Sequence, residues 1–141
     1  MKARFLFLAA VLGLTVAPVV QAEEVLGTTL EKLSKDQIAA FNREDLAATM
    51  AYAHTKSPAY ASTQAELTAQ FSEYDAKAEQ TSFHFVGHDD EFAVARVKVK
   101  VTAPGVEGFN NNIVDTMVLF HQEDGRWKLW DAFILGSEFV K

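Results

Sequence analysis

Hydrophobic positions in the first half of the chain recur at the spacing of amphipathic helices. Thr28 and Glu31 stand in the S/T-x-x-E relation of a capping box, so a first helix is predicted to begin at Thr28. Its apolar stripe consists of Leu30, Leu33, Ile38 and Phe41. Asn42 is predicted to end this helix and to cap a second one over residues 43–54. A third helix is predicted to begin at Thr63.

From about Ala78 the hydrophobic period changes to two, which is typical of strands with one buried face. Residues 81–87 are predicted to form a first strand, and residues 91–101 a second one with the cleanest alternation in the chain. Small and β-branched residues occupy one face of that second strand, namely Ala93, Ala95, Val97, Val99 and Val101. Residues 113–122 and 126–135 are predicted to form a closing hairpin.

The turn of this hairpin predicts which residues share a face. If Asp124-Gly125 is a two-residue type I′ turn, Glu123 lies opposite Arg126 and each further pair follows in step. Asp131 then lies opposite Val118, on the same face as Trp127, Leu129 and Phe133. A three-residue loop would pair Asp131 with Leu119 instead, without changing the side that it shares with those three residues. Both faces are apolar, so we expect the helices to cover one and a second subunit the other.

The N-terminus has the layout of a secretory signal peptide. Lys2 and Arg4 precede an apolar run over residues 5–16, and small residues precede a predicted cleavage after Ala22. The run is too short for a membrane span, which needs roughly 20 apolar residues. We therefore expect residues 1–22 to be a signal peptide, residues 23–141 to be a single domain, and the protein to be periplasmic or secreted.

Charge and cysteine content exclude several classes of function. Without Lys2 and Arg4 the chain keeps 11 basic and 19 acidic residues, a net charge of −8, which repels phosphate backbones and makes a nucleic-acid partner unexpected. The absence of cysteine excludes disulfides, thiol nucleophiles and thiolate metal sites. No phosphate loop or zinc-peptidase motif is present either, so we expect no metal and no cofactor.

The order of elements and the closing motif resemble the nuclear transport factor 2-like superfamily, in particular its SnoaL-like and ketosteroid-isomerase-like branches. The resemblance rests on "FNREDLAATMAYA", on the alternating "AVARVKVKV" and on "LFHQEDGRWKL". It implies an α+β fold in which three N-terminal helices pack on a strongly curved antiparallel sheet, a cystatin-like cone. It also implies an apolar cavity and frequent dimerisation through the outer face of the sheet. Members include both enzymes and non-catalytic domains, so the resemblance does not decide function.

Asp131 is the candidate catalytic residue, because a carboxylate in an apolar cavity can act as a general acid or base. The alternative is a structural acid held by backbone or tyrosine donors. Six residues are predicted to line the cavity: Tyr52, His54, Tyr74, Val118, Trp127 and Phe133. His54 could instead stabilise a helix end, and Trp127 could simply be core. A homodimer is predicted to form through Trp130, Leu119 and Ile134.

These observations lead to two functional hypotheses. The first is an exported domain that binds a small apolar ligand in its cavity or acts as a non-catalytic dimeric module. The second is a cofactor-independent isomerase or lyase that uses Asp131 as its general acid or base. Sequence alone does not distinguish them.

Overall fold

The computed structural model describes residues 17–140, which form three helices and one four-stranded sheet. The helices are α1 (Ala17–Asn42), α2 (Leu46–Met50) and α3 (Tyr60–Glu73). The strands β1 (Lys77–His88), β2 (Phe92–Thr102), β3 (Asn112–Glu123) and β4 (Arg126–Phe139) pair in sequence order, and every pair is antiparallel. The expected α+β class is therefore confirmed. Among the described residues, no helix is long and apolar enough to span a bilayer.

The core lies between α1 and one face of the sheet. Leu30 of α1 is fully buried against the small and β-branched residues that were predicted to face inward. These are Ala93, Ala95 and Val97 of β2, joined by Val118 and Phe120 of β3. Alternate residues of a strand point to opposite faces, so this face, which we call the inner face, also carries Thr116 of β3.

The predicted helix boundaries were only partly correct. Thr28 does not begin a helix, because α1 is already helical at Ala17 and the Thr28 hydroxyl donates to the Glu24 carbonyl. Asn42 does end α1, but Asp45 caps α2, by accepting from the Ala48 N–H. The Asn42 amide instead bonds both backbone groups of Ala78 at the start of β1.

The second and third helices also differ from prediction. The second ends at Met50 because the chain beyond it pairs with β4: the His54 N–H donates to the Leu129 carbonyl, and the Leu129 N–H donates to the Tyr52 carbonyl. The third begins at Tyr60 rather than at Thr63, whose N–H donates to the Ala59 carbonyl.

The β3–β4 turn has the predicted type, but the register changes beyond it. Asp124 and Gly125 both have positive φ, at 51° and 74°, as a type I′ turn requires. The predicted pairs hold from Glu123 and Arg126 up to Phe120 and Leu129. A β-bulge at Trp130 then pairs Asp131 with Leu119 instead of Val118, so the predicted face of Asp131 was wrong. The same shift pairs Ile134 with Thr116 of the inner face, and a second bulge, at Leu135, then pairs Asp115 with Gly136.

The predicted signal peptide lies mostly outside the described residues. Residues 17–22 belong to the start of α1, and residues 19–25 are exposed. Contacts with the core begin at Leu26, which packs against it, and at Gly27, which lies against Phe85. The described domain therefore makes its first core contacts beyond the predicted cleavage point.

Candidate functional site

A cavity of about 310 Å³ opens between α1, the start of α3 and the inner face of the sheet. Its apolar side comes from the sheet, where Val97, Val99, Val118 and Leu129 form the floor. The helices and the segment before α3 supply most of the polar groups. Those polar residues are Ser34, Gln37, Ser57, Tyr60 and Thr63, together with Thr116 of β3. The volume lies at the lower end of the roughly 300–1,000 Å³ usual for small-molecule sites.

Three of the polar groups in this cavity are committed to structural hydrogen bonds. The buried Ser34 hydroxyl donates to the Gln80 side chain at 2.7 Å. The Ser57 hydroxyl donates to the Trp130 carbonyl and accepts from the Ala59 N–H. The Thr116 hydroxyl donates to the Val97 carbonyl. These bonds hold the walls of the cavity in place.

Asp131 borders this cavity at its rim and not at its floor. The lining includes four consecutive residues of β4, namely Leu129, Trp130, Asp131 and Ala132. Successive side chains of a strand point to opposite faces, so this lining is not confined to one face. The cavity must therefore reach the edge of β4 here, where Ser57 contacts Trp130. Asp131 is half-buried, and one of its carboxylate oxygens accepts from the Ala132 N–H at 2.8 Å.

Of the six residues predicted to line the cavity, the structure places only Val118 there, beside Asp131. Tyr52 and Trp127 border a separate, open groove between α1 and the β3–β4 hairpin. Tyr74 lies beside Phe109, with ring centroids 6.0 Å apart. Phe133 pairs with Met117 on the outer face and is half exposed.

His54 does not line the cavity, and its contacts stabilise the fold. It is 4% exposed and packs edge-on against the rings of His121 and Trp130. Its Nδ1 accepts from the Lys56 N–H at 3.1 Å, so Nε2 carries the proton and lies 3.2 Å from the Gln122 carbonyl. These contacts tie the segment between α2 and α3 to the hairpin.

A neighbouring carboxylate strengthens the same junction. The Thr55 hydroxyl and N–H both donate to Glu123, and the hydroxyl bond is the main reason why the pKa of Glu123 lies below its usual value. The junction between residues 54–55 and the hairpin is thus held by charge-assisted as well as neutral hydrogen bonds.

Sequence reasoning missed the polar cavity residues on the helical side, in particular Gln37, Tyr60 and Thr63. Tyr60 and Thr63 are three residues apart at the start of α3, which places them on one helix face. That spacing was a usable signal, but the predicted start at Thr63 left Tyr60 outside the helix. Nothing in the sequence distinguishes Gln37 from the other polar residues of α1.

Comparison with solved structures defines the fold. A nuclear transport factor 2-like protein of unknown function from Pseudomonas putida KT2440 superposes with a TM-score of 0.66 at 10% identity, covering 79% of this chain and 86% of that one. The hexachlorocyclohexane dehydrochlorinase LinA-type3 from Novosphingobium barchaimii LL02 gives 0.63 at 9% identity, with 85% and 94% covered. The fold is therefore that of the nuclear transport factor 2-like superfamily and its cystatin-like relatives, as the sequence resemblance predicted.

A longer protein contains a similar domain. Bd1075 from Bdellovibrio bacteriovorus matches with a TM-score of 0.62 at 12% identity over 74% of this chain, which spans only 38% of the Bd1075 structure. No curated protein sequence matches this chain.

A family match identifies the chain more narrowly. The family described as "Anti-sigma-I factor RsgI9, C-terminal domain" matches residues 32–140, which include the C-terminal part of α1, the other two helices and the whole sheet. The chain belongs to this family.

Proposed function

We propose that this protein is an exported, non-catalytic domain that binds one small, largely apolar molecule in the cavity described above. The observation that supports this proposal is the composition of the cavity: a floor of valine and leucine, bordered by a few polar groups held in place by hydrogen bonds. Pockets that bind small molecules commonly combine apolar walls with a few oriented polar groups.

The size of the cavity limits the ligand. A volume of about 310 Å³ suits a single small molecule and not an extended chain. Ala132 lines the cavity yet is solvent-exposed, which indicates that a ligand could enter from the edge of β4.

A cavity-filling variant tests the proposal. Ala132→Trp introduces a large side chain at an exposed lining position, so it should occlude the cavity with little effect on the core. Val86→Trp places the same side chain on β1, at a position that is 54% exposed and outside the lining. Native mass spectrometry of the natively purified protein should show a co-purifying small molecule in the wild type and in Val86→Trp but not in Ala132→Trp. Equal occupancy in all three would contradict the proposal.

Export is supported by the N-terminal pattern and by the exposure of residues 19–25 ahead of the first core contacts. The expected result in the native host is a mature chain that begins at Glu23 in the periplasmic or secreted fraction. Intact-mass measurement of that fraction tests this, and a full-length chain in the cytoplasmic fraction would contradict it.

A homodimer through the outer face of the sheet is part of the same proposal. Among the described residues, no helix covers that face, which carries Val94, Met117, Leu119 and Phe133 as partly or fully exposed apolar side chains. Trp130 packs against Phe92 and His121 at one end of this face. Ile134 is no longer included, because it pairs with Thr116 on the inner side. Sedimentation at micromolar concentration should give a dimer, and a monomer there would refute this part.

The second candidate function is a cofactor-independent isomerase or lyase, and the position of Asp131 at the cavity rim favours it. In that case Asp131 would exchange a proton with the bound molecule. The test is NMR of the co-purified ligand in D₂O: catalysis predicts deuterium incorporation that Asp131→Asn abolishes, whereas unchanged ligand would exclude this role.

A further inference from the structure

The electrostatic character of the cavity restricts which ligands it can hold. Among the described residues that line it, Asp131 is the one acidic residue, and lysine, arginine and histidine are absent from that lining. A molecule bound there therefore has one carboxylate and no cationic side chain among the described residues that line the cavity. The charge of the lining thus narrows the chemical class of the ligand, an inference that rests on the proposed function.

The Asp131 carboxylate has no charged partner in the part of the chain that the structure describes. Within residues 17–140, no cationic group lies within 4.0 Å of it, and its only hydrogen bond comes from the Ala132 N–H. By contrast, Asp115 on the outer face forms a two-bond pair with Arg96. A half-buried carboxylate with unused acceptor capacity favours a ligand that brings a donor or a positive charge.

The uncharged polar groups point to a hydrogen-bonding ligand as well. The Gln37 amide and the Tyr60 and Thr63 hydroxyls line the cavity and make no side-chain hydrogen bond within the described residues. Each can donate to a ligand or accept from it. They are therefore compatible with hydroxyl, amine and carbonyl groups alike, but none of them carries a positive charge.

The N-terminus of α3 has the opposite effect, because it favours anions. The first turn of α3, which includes Tyr60 and Thr63, borders the cavity, and a helix N-terminus attracts anions with an effective charge of about +0.5. The full negative charge of Asp131 is larger, so the net preference remains against anions.

We propose that the cavity selects small apolar molecules that carry an amine or a hydroxyl group and excludes carboxylates and other anions. A series of monosubstituted benzenes isolates this preference, because benzylamine, benzyl alcohol and benzoate have similar size and differ in charge. Ligand-observed NMR titration at pH 7 should give benzylamine the lowest Kd, benzyl alcohol an intermediate one and benzoate the highest. The expected ratio between benzylamine and benzoate is about fivefold or more, as for a partly exposed charge pair.

Two variants with the same change in net charge separate a local effect from a general one. Asp131→Asn should bring benzylamine and benzoate within about twofold of each other. Asp124→Asn removes a charge from the exposed turn, where asparagine suits the type I′ geometry, and should preserve the wild-type ratio. Thermal melts check that both variants fold.

The results of these titrations separate the charge preference of the cavity from ligand binding itself. If benzyl alcohol binds but benzoate binds as tightly as benzylamine, or if Asp131→Asn keeps the wild-type ratio, the charge preference is overturned and the ligand-binding cavity stands. If none of the three compounds binds, both are overturned.

Discussion

Phe120→Ala should be among the most destabilising substitutions in this protein. Phe120 is 0% exposed and lies at the centre of the core, in contact with residues of α1 and β2. A phenylalanine side chain buries about 150–250 Å², and about 25 cal/mol per Å² gives an upper estimate of about 4–6 kcal/mol. Measured Phe→Ala losses of about 3–5 kcal/mol include the cavity left behind. We expect a loss of that size.

Phe139 provides the matched control. It lies near the end of β4 and is 78% exposed, so about a fifth of its surface is buried. Scaling the same loss by this fraction gives about 1 kcal/mol or less for Phe139→Ala.

Urea unfolding followed by circular dichroism measures both losses, and thermal melts check them. For a domain of this size, about 3–6 °C per kcal/mol predicts a fall in Tm of about 10–30 °C for Phe120→Ala. The fall for Phe139→Ala should be only a few degrees. Losses of equal size in the two variants would refute the placement of the core between α1 and the inner face.

Three further predictions concern the turn, a helix cap and acid stability. Gly125→Ala should cost about 1–2 kcal/mol, because φ is +74° there, whereas Gly136→Ala, which meets no neighbouring atom, should cost little; urea unfolding measures both. Asp45→Ala should lose about 1 kcal/mol with the α2 cap, and Asp45→Asn almost none, by the same measurement. The Arg96 hydrogen bonds lower the pKa of Asp115, so the free energy of unfolding should fall as pH drops below about 4. The fall should be less steep in Asp115→Asn. Thermal melts between pH 2 and 7 measure both.

The strands could be predicted because their local chemistry and their tertiary role agree. The alternation of β2 places Ala93, Ala95 and Val97 inward, and all three are buried. The pair Asp124-Gly125 predicts a type I′ turn, since both residues tolerate positive φ, and the structure has that turn. In each case the signal lies within a few neighbouring residues.

The position of Asp131 could not be predicted, because it depends on contacts distant in sequence. The bulge at Trp130 moves Asp131 from the predicted inner face to the outer side of β4, opposite Leu119. There the Ser57 hydroxyl, 73 residues away, bonds the Trp130 carbonyl, and the Trp130 ring packs on His54. Hairpin pairing rules assume a regular ladder, so they cannot locate a bulge held by another segment.

The shortened second helix has a similar cause. Residues 46–54 have an acceptable helical pattern, but Tyr52 and His54 use their backbone groups to bond Leu129 on the edge of β4. Tertiary hydrogen bonds thus override local helix propensity here. The same contacts place Ser57 and Tyr60 beside the cavity, which explains why its helical side was also missed.

A crystal structure of the natively purified protein tests the central claim most directly. Ligand binding predicts electron density for one small molecule in contact with Val97, Val118 and Leu129, with an amine or hydroxyl group near Asp131. A cavity closed by its own side chains, or one that holds only ordered water, would contradict the claim.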